Sequence, residues 1–108
     1  MNNRIEIAKE FAKKINSKYV KQVILFGSVA RGEDDEDSDI DILIISSDNK
    51  KIEQKVKDEI FNILLSKDQL ISAHVISEKK FNETKNFSFL SNVLSEGVPI
   101  GWDKTINR

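Results

Sequence analysis

The stretch Val23 to Ile45, VILFGSVARGEDDEDSDIDILII, decides how this chain is read. Val23 to Phe26 is a short apolar, strand-like run. Gly27-Ser28 follows at once as a sharp turn into Val29-Ala30-Arg31-Gly32. After an acidic loop, Asp39-Ile40-Asp41 opens a second apolar run, Ile42 to Ile45. Alternate side chains of a strand share one face, so Asp39 and Asp41 project together with Ile40 on the other side. Two carboxylates on one face are costly to bury without a cation between them. A hard ion such as Mg²⁺ fits, because it is held by one or two carboxylates while substrate phosphates and waters complete the octahedron. Glycine lets backbone approach a ligand closely. If Ser28 opens a short helix, the first free N–H groups favour an anion, and the serine hydroxyl adds a donor. A phosphate cradle beside a carboxylate pair points to phosphoryl or nucleotidyl transfer.

Two other readings of the same stretch fail on their own residues. Gly27 and Gly32 have the glycine spacing of a P-loop, but Glu33-Asp34 stands where that motif needs Lys and Ser/Thr. An EF-hand counted from Asp35 would need glycine and glutamate where Ile40 and Ser46 stand. Glu33 to Asp37 is five acidic residues in a row. It reads as a solvated loop rather than an extra cation site. Such a loop would repel a triphosphate unless it points away or a metal intervenes.

Taken together, Gly27-Ser28-x-Ala30-Arg31-Gly32 and Ser38-Asp39-Ile40-Asp41 before an apolar strand resemble the signature of the DNA polymerase β-like nucleotidyltransferases. The minimal, small-domain branch of that superfamily is the nearest resemblance. It implies transfer of a nucleoside monophosphate from a nucleoside triphosphate, ATP in the first instance, to an acceptor hydroxyl, with release of pyrophosphate. It implies that Gly27 and Ser28 hold the β- and γ-phosphates and that Asp39 and Asp41 are the catalytic carboxylates. These two would bind two Mg²⁺ ions, with Mn²⁺ as a substitute. Arg31 would either offset phosphate charge or brace the turn through Asp39 or the acidic loop. It also implies a small helical partner of the HEPN class, as in toxin–antitoxin pairs, or else a homo-oligomer. The acceptor would be a partner protein or a small molecule. The alternative is a catalytically weakened, nucleotidyltransferase-like binding module or antitoxin that neutralises such a partner.

The sequence departs from the family at one place. A third carboxylate is expected on the third strand, yet Leu70 to Ile76, LISAHVI, has neither Asp nor Glu. Ser72 and His74 occupy the positions facing the right way. His74 is the sole histidine of the chain. It reads either as a half-buried strand residue or as a metal ligand or base.

The rest of the chain fits one domain over 1–108, of α+β class with an α/β-like order: a small mixed sheet of three to four strands backed by helices. Asn3 and Glu6 suggest a capping box. Ile5, Ala8, Phe11, Ala12, Ile15 and Tyr19 recur at helical spacing, and Val20 to Phe26 is the first strand. Asp48 or Ser47 caps a second long helix with an apolar stripe of Ile52, Val56, Ile60, Ile63 and Leu64. Ser77 caps a short helix through Phe81, 82–86 is loop-like, and Ser88 to Glu96 is a last helix that Gly97 ends as a C′ residue. Val98-Pro99-Ile100 suits an edge strand. Trp102 packs over the core rim or anchors a partner, and 104–108 frays. The formal net charge of −1 and the lack of a basic, aromatic platform argue against nucleic-acid binding. No apolar run is long enough for a membrane span. The absence of cysteine fits a cytoplasmic protein.

Overall fold

The structure is a computed structural model and describes residues 3–102; the Trp102 side chain and residues 103–108, including the expected frayed tail, lie outside the described residues. The elements in chain order are α1 (Asn3–Ile15), β1 (Val20–Phe26), α2 (Gly27–Arg31), β2 (Ile40–Ser46), α3 (Asn49–Lys67), β3 (Ile71–Ser77), α4 (Glu78–Thr84), α5 (Ser88–Glu96) and β4 (Val98–Trp102). The four strands form one mixed sheet in the order β3-β2-β1-β4. β1 pairs antiparallel with both β2 and β4, whereas β2 and β3 run parallel. A parallel pair needs a crossover connection, and α3 supplies it. None of the described helices is long and apolar enough to cross a membrane.

The alternation of β1 and β2 divides the apolar residues between two faces. On one face Val23, Leu25, Ile40, Ile42, Ile44 and Ile71 pack against Ala8, Phe11, Ala12 and Ile15 of α1 and Ile52, Val56 and Ile63 of α3. On the other, Ile24, Leu43 and Ile45 meet Leu90 and Val93 of α5, with Phe81 of α4 at the margin. Apolar residues on both sides explain why β2 reads as an almost unbroken apolar run rather than an alternation.

Several local expectations shift. α1 begins at Asn3 itself, so Asn3 is its first helical residue rather than its cap. Leu64, assigned to the apolar stripe of α3, is 40% exposed, while Glu59 is buried and meets Lys55 Nζ at 3.3 Å. Asp48 is the cap residue of α3 but makes no side-chain cap bond; its N–H donates instead to Ser46 Oγ at 2.9 Å. Ser77 does cap α4, accepting from the Lys80 N–H at 3.1 Å, but the helix runs on to Thr84 into the expected loop. Gly97 ends α5 in extended backbone at φ −76, not as a left-handed cap. It must be glycine for space, because a Cβ there would collide with the Ile24 side chain and the Val93 carbonyl.

Candidate active site

Gly27-Ser28 and Asp41 are brought together by strand pairing. Phe26, the last residue of β1, is the register partner of Asp41 near the start of β2. Gly27 then turns the chain with φ +75, a conformation that L side chains rarely adopt. A Cβ at this position would occupy the place of the Asp41 carboxylate. The turn and the carboxylate are therefore in contact, and only glycine permits it. α2 starts at Gly27, so the N–H groups of its first residues have no partner within the helix.

The acidic loop leads into Asp39 through a small knot. Asp35 Oδ1 accepts from the Asp37 N–H at 2.9 Å and the Ser38 hydroxyl at 3.2 Å, and the Asp35 N–H donates to Ser38 Oγ at 3.0 Å. One residue beyond Asp39, the Ile40 N–H donates to the Leu70 carbonyl at 3.0 Å. Asp39 is thus held between two anchored residues while its own side chain stays exposed. The loop's charge is partly turned away from the site: Asp34 pairs with Arg4 of α1 at 2.7 Å, with its side chain only 8% exposed.

By alternation Asp41 lies on the sheet face of Leu43 and Ile45, the face that α5 covers. Burial pushes the Asp41 carboxyl above the ordinary carboxylate range, and the negative charge of Asp39 adds to this. His74 and Arg31 act in the opposite sense, which places both within electrostatic reach of Asp41. β3 sets Ser72 beside Asp41 and His74 beside Leu43 in the register. Ser72 is half-buried and His74 exposed. The expected half-buried imidazole is instead an exposed ring, packed against Phe26 and Phe89.

Arg31 engages the acidic loop, as one of its two expected roles required, but not Asp39. Its Nε donates to Glu33 at 2.9 Å and its Nη1 to Glu96 of α5 at 3.1 Å. These two hydrogen bonds raise the guanidinium's pKa further. Glu96, Phe89 and Phe26 were missed by sequence reasoning. Glu96 lies 65 residues from Arg31, and no local pattern links them.

Among the described residues no three or more His, Cys, Asp or Glu side chains converge as a metal cage. A carboxylate pair alone suits a cation whose other ligands come from substrate and water. A separate open groove runs beside α1, lined by Arg4, Glu6, Lys9, Glu10, Lys13 and Lys67 among others. Its charges alternate in sign and it includes none of the site residues.

Residues 5–103 match the nucleotidyltransferase domain family. The chain belongs to the nucleotidyltransferases. Two Methanocaldococcus jannaschii proteins, each named "putative protein adenylyltransferase" (MJ0604 and MJ0141), resemble this nucleotidyltransferase over nearly their whole lengths. The first is 44% identical over 88% of this chain and 95% of its own, the second 38% identical over 89% and 97%. A solved toxin–antitoxin structure with AMP-PNP superposes with a TM-score of 0.58 at 16% identity, covering 97% of this chain and 76% of that one. At that identity the likeness shows the nucleotidyltransferase fold alone.

Proposed function

We propose that this chain is a single-domain, Mg²⁺-dependent adenylyltransferase that moves AMP from ATP to a hydroxyl on a partner protein and releases pyrophosphate. The observation that carries this reading is the contact between the Gly27 backbone and the Asp41 carboxylate, which leaves no room for a side chain. It sets the Gly27-Ser28 turn beside Asp41, which supports reading the turn as a phosphate cradle next to a cation-binding carboxylate pair. The near full-length likeness to proteins named as adenylyltransferases supports the choice of AMP.

Asp39 and Asp41 fit a divalent cation: the pair supplies two hard oxygen donors, and burial, with the charge of Asp39 added, makes the ionised Asp41 carboxylate costly without a cation beside it. When bound, Mg²⁺, taken as two ions, supplies charge neutralisation at the triphosphate and lowers the pKa of the acceptor hydroxyl. The chain's own residues hold and orient. The Gly27 and Ser28 N–H groups and the Ser28 hydroxyl donate to the β- and γ-phosphate oxygens. The fixed turn aligns the α-phosphate over the carboxylates, and alignment is the main protein contribution to phosphoryl transfer. The acceptor hydroxyl gives up its proton to solvent as its oxygen bonds to the α-phosphorus, the bond to the oxygen bridging to the β-phosphate breaks, and pyrophosphate leaves with that oxygen. Arg31 adds positive charge at the phosphate end while Glu33 and Glu96 fix its direction. The partner in this reading is a small helical protein of the HEPN type; the toxin–antitoxin structures among the neighbours support a partner protein but not its type. The setting is cytoplasmic, in keeping with a chain lacking cysteine.

A second reading, a binding module with weakened catalysis, is favoured by one observation: β3 presents Ser72 and His74 where a third carboxylate is expected. Calorimetric titration of ATP, with and without Mg²⁺, on wild type and on Asp39→Ala/Asp41→Ala separates the two. The enzyme reading expects Mg²⁺-dependent binding that the double variant loses. Absence of binding by wild type would transfer the weight to the binding module.

A further inference from the structure

Beside the carboxylates lies a group of rings that the proposed chemistry does not use. Phe26 of β1, His74 of β3 and Phe89 of α5 form a triangle, with centroid separations of 5.7 Å (Phe26–His74), 5.9 Å (Phe26–Phe89) and 6.1 Å (His74–Phe89). The planes are tilted by 50°, 86° and 59°. Phe26 immediately precedes Gly27 and pairs with Asp41, so the triangle borders the phosphate turn. His74 shares the Asp41 face through its register with Leu43. The buried members of the α5-side core are aliphatic: Ile24, Leu43, Ile45, Leu90 and Val93. The rings form its rim. Phe89 is 54% exposed and His74 is also exposed, so aromatic surface faces the solvent that a ligand of this site would occupy.

We infer that this rim is the shelf on which the nucleobase of the donor nucleotide stacks. The inference rests on the nucleotide site proposed above and assigns its base-binding part. The geometry has the right order and span. Phosphates at Gly27-Ser28 lie at the end of β1, and the α-phosphate lies over Asp39 and Asp41 at the start of β2. Strand spacings of about 4.8 Å put β3 roughly 10 Å from β1. A nucleotide continuing in the same direction brings its base to the face of Phe89, with the His74 ring, tilted by 59° from it, alongside. Ring faces stack on any base without reading its edge. Nucleotide preference at this shelf is accordingly broad.

The test compares Mg²⁺-ATP with Mg²⁺-tripolyphosphate, which has the phosphates but no base, by calorimetry on wild type, Phe89→Ala, Phe89→Leu and Phe89→Tyr. Phe89 is largely exposed, and melting curves confirm that each variant is folded. Wild type binds ATP more tightly than tripolyphosphate. Phe89→Ala and Phe89→Leu weaken ATP by roughly 5- to 150-fold and leave tripolyphosphate unchanged, while Phe89→Tyr keeps ATP binding. Leucine retains apolar bulk, so its loss separates stacking from packing. Unchanged ATP affinity in Phe89→Ala overturns the shelf, as does equal weakening of both ligands, since the ring would then act on the phosphate site or on the fold. Wild type that binds tripolyphosphate as tightly as ATP overturns the shelf and leaves the phosphate site standing. Wild type that binds neither overturns the nucleotide site itself, and the shelf with it.

Discussion

The two faces of the sheet differ in how completely they are covered. The face toward α1 and α3 is closed along its length, and Phe11, Ile40, Ile42 and Ile44 there have essentially no accessible surface. The opposite face is covered by Leu90 and Val93 of α5 in its middle, but at the end near Gly27 it presents Asp41, His74 and Phe89. The same four strands thus carry a face that supplies stability and a face left incomplete. Burial of apolar area drives folding at about 25 cal/mol per Å². A site for charged ligands needs the reverse, with carboxylates and rings that wait for a partner. Dividing the two demands between faces lets a small sheet meet both.

The difference predicts graded effects. Phe11→Ala, on the closed face, should cost about 3–5 kcal/mol, a large part of the roughly 5–15 kcal/mol typical of a domain. Denaturant unfolding checks this, and a loss near 1 kcal/mol would break the distinction. Gly27→Ala should reduce nucleotidyl transfer roughly 100-fold, because the new Cβ displaces the Asp41 carboxylate and small misplacements at a reacting centre are expensive. Steady-state rates read it. Leu90→Ala, on the open face, should cost about 2 kcal/mol, near the lower end for that substitution, because the rim beside it can collapse. Glu96→Gln should change stability by less than about 1 kcal/mol, since its pair with Arg31 is exposed to solvent.

The smallest effect has the opposite sign. Asp41→Asn should melt above wild type near neutral pH. The Asp41 pKa is raised in the folded state, so the charged carboxylate there opposes folding. That cost is fully present above the folded-state pKa, shrinks as pH falls through it, and is gone below the unfolded-state value. The melting gap between the two proteins should therefore close in the acid range. An Asp41→Asn protein that melts below wild type at neutral pH would mean that the carboxylate stabilises the site instead.

Much of this was legible because the signals were local. Helical spacing of Ala8, Phe11, Ala12 and Ile15 marks the α1 stripe, and all four are buried. Ser88 to Glu96 is helical as expected, and Val98 does begin an edge strand. The turn and the carboxylate pair sit within one short stretch, so their meeting could be anticipated from strand periodicity. What escaped depends on contacts across the chain. Arg31 meets Glu96, and Phe26 meets Phe89, only because α5 returns to the far face of the sheet, and Phe26 meets His74 only because β1 and β3 flank β2. Gly97 was assigned to the right place for the wrong reason. Its need for space against Ile24 is tertiary, whereas a left-handed cap is the local default for glycine after a helix. Leu64 has the right period but belongs to the C-terminal part of α3, where Phe61 and Leu65 also face solvent.

The position of β4 has a consequence for how the protein is made. β1 is an interior strand of the sheet, yet one of its neighbours is the last of the described strands in sequence. Until residues 98–102 have emerged from the ribosome, one edge of β1 has no hydrogen-bonding partner. The ladder is completed by a contact between the first and last of the described strands, the kind of non-local closure that slows folding. During that interval the Gly27 turn can already meet Asp41 through the β1–β2 pairing while the other edge of β1 is still open.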